Sequence, residues 1–277
     1  MVKLLLSLLL LFSFSFASDA SDDPLTLKIK SFLDKNRYEN NKDFINVIFD
    51  PKSAFYKNER VNSVKVIQTL KENGLLKLFF ASPREFKLHF KTSGSPLFFV
   101  KIMSDTLRNI GYYRYVTTAS NLDSSQFYWS INLTSEYATD PLVLQNELDK
   151  SGCNIIDIER NSADEWTYTV DIGSGFLNIQ KLHDAKEIKL KRSMYAHWLD
   201  ISKITTLKIK STRRNHWYPY IAYYDASLHL LKIVKENDIY REMILKMPKN
   251  AKYIKISDVY TLKNVKDELV LLPTGSK

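Results

Sequence analysis

Three glycines, each closing a stretch of helical spacing in the same way, constrain the fold of this 277-residue chain more than any other feature. Val66 and Leu70, Met103 and Leu107, and Leu144 and Leu148 are pairs four residues apart, which places each pair on one helix face. Four residues after the second member of each pair stands Gly74, Gly111 or Gly152. A glycine there predicts a helix stop, because a left-handed residue after the last turn carries no Cβ penalty. The glycines lie 37 and 41 residues apart.

The segment after each glycine also repeats: an apolar run, a polar turn, then an alternating aromatic strand. The first copy reads Leu75 to Phe80, a turn at Ser82-Pro83, then Phe86 to Phe90. The second reads Tyr112 to Thr118, a turn near Asn121 to Ser125, then Phe127 to Leu133; the third reads Ile155 to Ile158, a turn at Asn161 to Asp164, then Trp166 to Val170. Three helix-strand-strand modules, 61–93, 94–138 and 139–175, are therefore expected, packed in series or sharing a sheet. Pro96 and Pro141 fit the first turns of the second and third helices, with Ser95 and Asp140 as caps. This order resembles the small α+β docking modules of envelope assembly machines, polypeptide-transport-associated domains among them. Residues 18–60 form a preceding segment, in which Leu25 to Leu33 and Phe44 to Phe49 fit two short helices, or one helix and one strand.

From 176 to 277 the pattern changes to short strands between polar turns. Ile188–Leu190, Thr206–Lys210, Tyr218–Tyr224, Leu228–Val234, Glu242–Met247, Tyr253–Ser257 and Glu268–Leu272 are seven strand candidates, a spacing that favours an all-β sandwich or small barrel. The fold class expected for the whole chain is thus α+β, serial modules followed by a β-sandwich, with Gly173-Ser174-Gly175 as the linker. Two stretches carry a further likeness: Trp217-Tyr218-Pro219-Tyr220-Ile221-Ala222-Tyr223-Tyr224-Asp225 leading to Leu230-Leu231, and Met247 to Ser257 with its Ala251-Lys252-Tyr253-Ile254-Lys255-Ile256 strand. Over its last 80 or so residues the chain resembles galactose-binding-like jelly-roll domains. That resemblance implies a ligand-binding or adhesive module rather than a catalytic one.

Charge divides along the same line. Residues 176–277 hold 20 basic and 10 acidic side chains, whereas 18–175 hold 19 and 21. A basic unit of this kind predicts an anionic partner, whether an acidic protein surface, lipid phosphate or an anionic glycan, against the alternative of a solvated lysine-rich face. Met1 to Ala17 reads as a secretory signal: Lys3, an apolar core from Leu4 to Phe16, and small residues at Ser15 and Ala17. Its length falls below the about 20 apolar residues of a spanning helix, and no second stretch of that length occurs downstream, so a periplasmic protein without a transmembrane span is expected. Export makes nucleic acid a poor partner. Cys153 is the sole cysteine, which excludes an intrachain disulfide and predicts a buried thiol.

The densest candidate site is Arg213, Arg214, His216, Trp217, Tyr218 and Tyr220, with Tyr223 close behind. Aromatic faces stack on sugars and cations, and guanidinium forks hold carboxylate or phosphate. Alternate aromatics along a strand equally fill a sandwich core, and both readings stand at this point. The five histidines show no zinc spacing, phosphate loops are absent and no nucleophile motif is present, so neither metal nor cofactor is expected. The function these features predict is a non-enzymatic scaffold or adaptor of a cell-envelope assembly. A carbohydrate-binding protein is the alternative, and an envelope hydrolase, which needs a Ser/His pair or two carboxylates in a cleft, comes third.

Overall fold

The computed structural model describes residues 22–276 and divides them into two compact units that meet between Leu76 and Lys77. The expected signal, Met1 to Ala17, lies outside the described residues.

The first unit is helical. Short helices α1 (Pro24–Phe32), α2 (Lys35–Asn40) and α3 (Lys42–Ile48) precede a small hairpin, β1 (Tyr56–Lys57) with β2 (Arg60–Val61), and then α4 (Ser63–Glu72). The polar stretch 34–43 thus carries a helix of its own, capped by the Asp34 side chain on the Arg37 amide at 2.9 Å. α1 packs on α4, burying Leu25 and Ile29 from one and Val66, Ile67 and Leu70 from the other. The helix of the first expected module therefore groups with the residues before it, and its strand does not.

The second unit begins with β3 (Phe79–Thr92), α5 (Pro96–Asn109), β4 (Val116–Leu122), β5 (Phe127–Tyr137), α6 (Pro141–Asp149), β6 (Asn154–Arg160) and β7 (Glu165–Asp171). Strands of all three expected modules share one five-stranded sheet, ordered β4-β5-β3-β7-β6, in which only the β3–β7 pairing is parallel. Phe86, Leu88 and Phe90 alternate with Lys87 and His89, so one face is apolar and the other polar, as the period of two requires. The apolar face meets the buried sides of α5 and α6, through Phe99, Met103 and Leu107 and through Leu144 and Leu148.

The glycines act as their spacing predicts. Gly74, Gly111 and Gly152 have φ of 74°, 103° and 66°. In each copy the amide after the glycine returns to the carbonyl of the repeated leucine: Leu75 to Leu70 at 2.9 Å, Tyr112 to Leu107 at 2.8 Å, Cys153 to Leu148 at 3.1 Å. Two local expectations change. No turn forms at Ser82-Pro83; β3 runs through it, advancing five residues from Phe79 to Arg84 while β5 moves only from Tyr137 to Ser135. The bulge absorbs the proline, which has no amide to give the ladder. Ser95 does not cap α5 with its side chain; its hydroxyl donates instead to Ser227 O at 2.8 Å, in the β-rich half of the same unit.

That half holds β8 (Ile188–Leu190), β9 (His197–Asp200), β10 (Ile204–Ser211), β11 (Pro219–Tyr224), β12 (Leu230–Lys235), β13 (Glu242–Lys246), β14 (Tyr253–Asp258) and β15 (Leu269–Ser276). They form two antiparallel four-stranded sheets, β13-β10-β15-β8 and β12-β11-β14-β9, whose buried residues make one cluster around Leu207, Ile209, Trp217, Tyr223, Ile254 and Leu271. Seven strands match the expected set; β9 was not among them. The chain as a whole is a mixed α+β protein.

Gly173-Ser174-Gly175 is not a loose linker. A Cβ on Gly175 would sit 2.9 Å from Ile172 O, 3.1 Å from Cys153 Sγ and 3.2 Å from the Phe98 ring, so the glycine is fixed by close packing. Cys153 is fully buried there, and burial, with the Asp171 charge second, pushes its thiol up to about 11. An unfolded thiol titrates near about 8.5. Below that value both states are protonated and the folded state keeps its full contribution; as pH rises toward about 11 only the unfolded chain ionises, and stability falls. The expected result is slow maleimide labelling of native protein at about pH 8 and fast labelling once it is unfolded. Equal rates in both states would contradict the packing.

Candidate functional site

The structure separates the residues of the aromatic and arginine cluster. Along β11 and the residues before it, Trp217, Ile221 and Tyr223 point inward and are 0%, 0% and 1% exposed. The Trp217 indole N–H donates to Ser257 O at 2.9 Å, so even its polar atom is satisfied internally. Tyr218 and Tyr220 are half-buried, and Tyr218 meets Tyr260 edge to face at 4.9 Å. Arg213, Arg214 and His216 lie exposed in the turn that precedes the strand. Asn215, between them, is fully buried and holds this turn to the segment before β15: Nδ2 donates to Glu268 O at 3.0 Å, and Oδ1 accepts from the Asp267 amide at 2.8 Å. The expected binding platform is therefore split between a core and a turn.

Two other features bring functional groups together. The first is the outward face of the sheet β13-β10-β15-β8. Its registers set three cross-strand rows facing away from the shared core: Lys246–Thr206–Thr274, Ile244–Lys208–Leu272 and Glu242–Lys210–Val270–Lys189. Lys189, Lys210 and Lys246 are exposed, and Ile244 is 63% exposed. Glu242 accepts from Lys208 at 2.7 Å and Glu268 from Lys189 at 3.0 Å, while Lys210 and Lys246 make no ion pair among the described residues. The result is a lysine-rich face in which Ile244 and Leu272 flank Lys208 in the middle row.

The second is a cleft of about 340 Å³ bounded by α5, by residues 177–180 and by β9. Lys101, Asp105 and Arg108 succeed one another at helical spacing on the α5 wall, and the Asp105 carboxylate pairs with both cations. From the β9 wall, Trp198 meets Tyr224 in a tilted ring pair at 5.0 Å and receives Lys101 Nζ at 5.3 Å and Lys255 Nζ at 5.8 Å from its ring centre. Burial lowers the Lys101 ammonium below the usual lysine range, Asp105 opposing the shift, and burial alone lowers His197. None of these residues was singled out from the sequence. In the sequence Lys101, Asp105 and Arg108 are only charges at helical spacing, and a strand at 197–200 is what places an aromatic opposite them.

One Ser/His pair does meet. On the polar face of the five-stranded sheet, His89 Nε2–H donates to Glu165 Oε1 at 2.9 Å, and Nδ1 accepts from the Ser130 hydroxyl at 2.8 Å. Ser130 is 3% exposed, mid-strand in β5, and laddered to both His89 and Ala119. Acyl transfer also needs donors aimed at the developing oxyanion, whereas backbone amides of a paired strand lie in the plane of the sheet. The trio links β5, β3 and β7 across the polar face of the sheet. Among the described residues, no three His, Cys, Asp or Glu side chains are placed to hold a metal ion, and no helix is long and apolar enough to cross a membrane. No family model, curated protein or solved structure matches the chain.

Proposed function

We propose that this protein is a non-catalytic adaptor of the bacterial cell envelope, exported to the periplasm, whose basic C-terminal β-sandwich docks on an acidic partner protein. The observation that carries this reading is the outward face of β13-β10-β15-β8, where Lys189, Lys208, Lys210 and Lys246 surround Ile244 and Leu272. Apolar side chains set among lysines favour a complementary protein surface over bulk solvent: Lys210 and Lys246, outside any ion pair among the described residues, steer and orient the encounter, and Ile244 and Leu272 supply burial. A sugar platform is less well supported, because Trp217 and Tyr223 are committed to the core.

The test uses the mature protein as bait in solubilised envelope, beside Lys208→Glu/Lys210→Glu/Lys246→Glu. A partner retained by the wild type should be lost from the triple variant, and its affinity should fall by about tenfold or more and weaken further with salt. Retention of the same partner by both proteins, or of none by the wild type, would remove the proposal.

A further inference from the structure

The cleft on α5 shares no lining residue with the lysine face, and its chemistry is of a different kind. We infer that it is a binding site for a small carboxylate-bearing molecule, held between the cations of α5 and the wall made by residues 177–180 and β9. Its volume of about 340 Å³ is that of a small-ligand pocket rather than a packing defect. Ile102, Leu177 and Leu199, all buried, supply the apolar part of its lining. The polar groups converge at its walls, the arrangement that orients a ligand whose body is desolvated.

Charge selects the ligand class. Lys101 and Arg108 share one carboxylate, Asp105, and Lys255 brings a third cation to the Trp198 ring. The other carboxylate of the lining, Glu147, is already held by Lys150 at 2.6 Å and by Asn109 at 2.8 Å. The lining itself balances, Lys101 and Arg108 against Asp105 and Glu147, so the positive excess of the neighbourhood comes from Lys255 beside the Trp198 ring and from Lys150 at Glu147. Its remaining donors suit carboxylate oxygens: the Arg108 fork, the Lys101 ammonium, and the side-chain amides of Asn178 and Gln180. Those amides and the His197 ring have no hydrogen-bond partner among the described residues, so a ligand displaces no internal contact from them. With its charged form disfavoured by burial, His197 is neutral near neutrality and offers one donor and one acceptor. A neutral ligand would leave the cationic excess unmatched, and a large one would not fit.

Trp198 makes the site directly readable. The chain has four tryptophans, and the other three, Trp129, Trp166 and Trp217, are 3%, 1% and 0% exposed. Citrate titrated into the purified protein should perturb tryptophan emission saturably, whereas potassium chloride at matched ionic strength should not. Lys101→Gln and Arg108→Gln should each raise the apparent citrate Kd by about tenfold, the loss expected for a charge-assisted hydrogen bond. Trp198→Phe should remove the optical signal while calorimetry still detects binding. Because Lys101 and Arg108 also pair with Asp105, Asn178→Ala provides a variant that breaks no ion pair, and it should weaken citrate by a smaller factor with an unchanged thermal midpoint. No saturable response in the wild type would overturn the inference, as would the same response to chloride or undiminished affinity in all three variants. None of these outcomes touches the lysine-face variant, so this site and the docking proposal stand or fall separately.

Discussion

Trp217→Ala is expected to cost the protein about 3–5 kcal/mol, the range for removing a large aromatic from a packed core. Its side chain is 0% exposed, it lies in the cluster shared by both C-terminal sheets, and its indole N–H closes a hydrogen bond to Ser257 O at 2.9 Å. Truncation removes the ring, opens a cavity and leaves the Ser257 carbonyl without that donor. Most domains hold only about 5–15 kcal/mol in total, so the loss takes a large fraction of it. Urea unfolding reads the effect as a lower midpoint at unchanged slope. A tryptophan on an exposed sugar-binding platform would instead change stability by no more than about 0.5 kcal/mol. A shift that small would favour the carbohydrate reading.

Asn215→Ala is expected to be nearly as damaging, at about 2–4 kcal/mol, although it removes no apolar area to speak of. Asn215 is fully buried and satisfies backbone groups on both sides of a loop crossing: Nδ2 reaches Glu268 O and Ser211 Oγ, at 3.0 and 3.2 Å, and Oδ1 receives the Asp267 amide at 2.8 Å. Without it the Glu268 carbonyl and the Asp267 amide lose their partner in a partly buried setting, and each such loss costs up to about 1–3 kcal/mol. Asn215→Asp should not rescue, because it exchanges the donor for a second acceptor and buries a charge. The exposed neighbour Arg213→Ala serves as the control and should stay within about 0.5 kcal/mol. Thermal or urea unfolding of the three variants separates these outcomes. An Asn215→Ala loss below about 1 kcal/mol would contradict the buried network.

These two residues also show how far the sequence could be read. The glycine stops were legible because a left-handed residue after a helix is a local requirement, met in the same way at Gly74, Gly111 and Gly152. The alternation along β11 was legible in principle, since Trp217, Ile221 and Tyr223 share a parity, but parity does not say which face of a sheet is covered. Here both are: on the other face Ala222 and Tyr253 are 0% and 1% exposed, and Tyr253 Oη accepts from the Leu177 amide at 3.4 Å. Residues 197–200 gave no strand signal, being only four residues without a β-branched side chain. They pair because β14 offers an edge, which is a property of the assembled sheet. The cleft arises from that pairing. Charges at positions 101, 105 and 108 look the same on a solvated helix as on the wall of a pocket, and only the tertiary arrangement distinguishes the two.

The docking account is tested most directly by lysine acylation footprinting, comparing the purified protein with the same protein in intact envelope. Lys189, Lys210 and Lys246, exposed on the outward face of β13-β10-β15-β8, should label freely when purified and lose most of that reactivity in the envelope. Lys77 and the β3 residue Lys87, exposed elsewhere on the chain, should label equally in both. Protection confined to the lysine face is the predicted result. Equal labelling of all five lysines in the two preparations, or protection at Lys77 and Lys87 with the face left reactive, would contradict it.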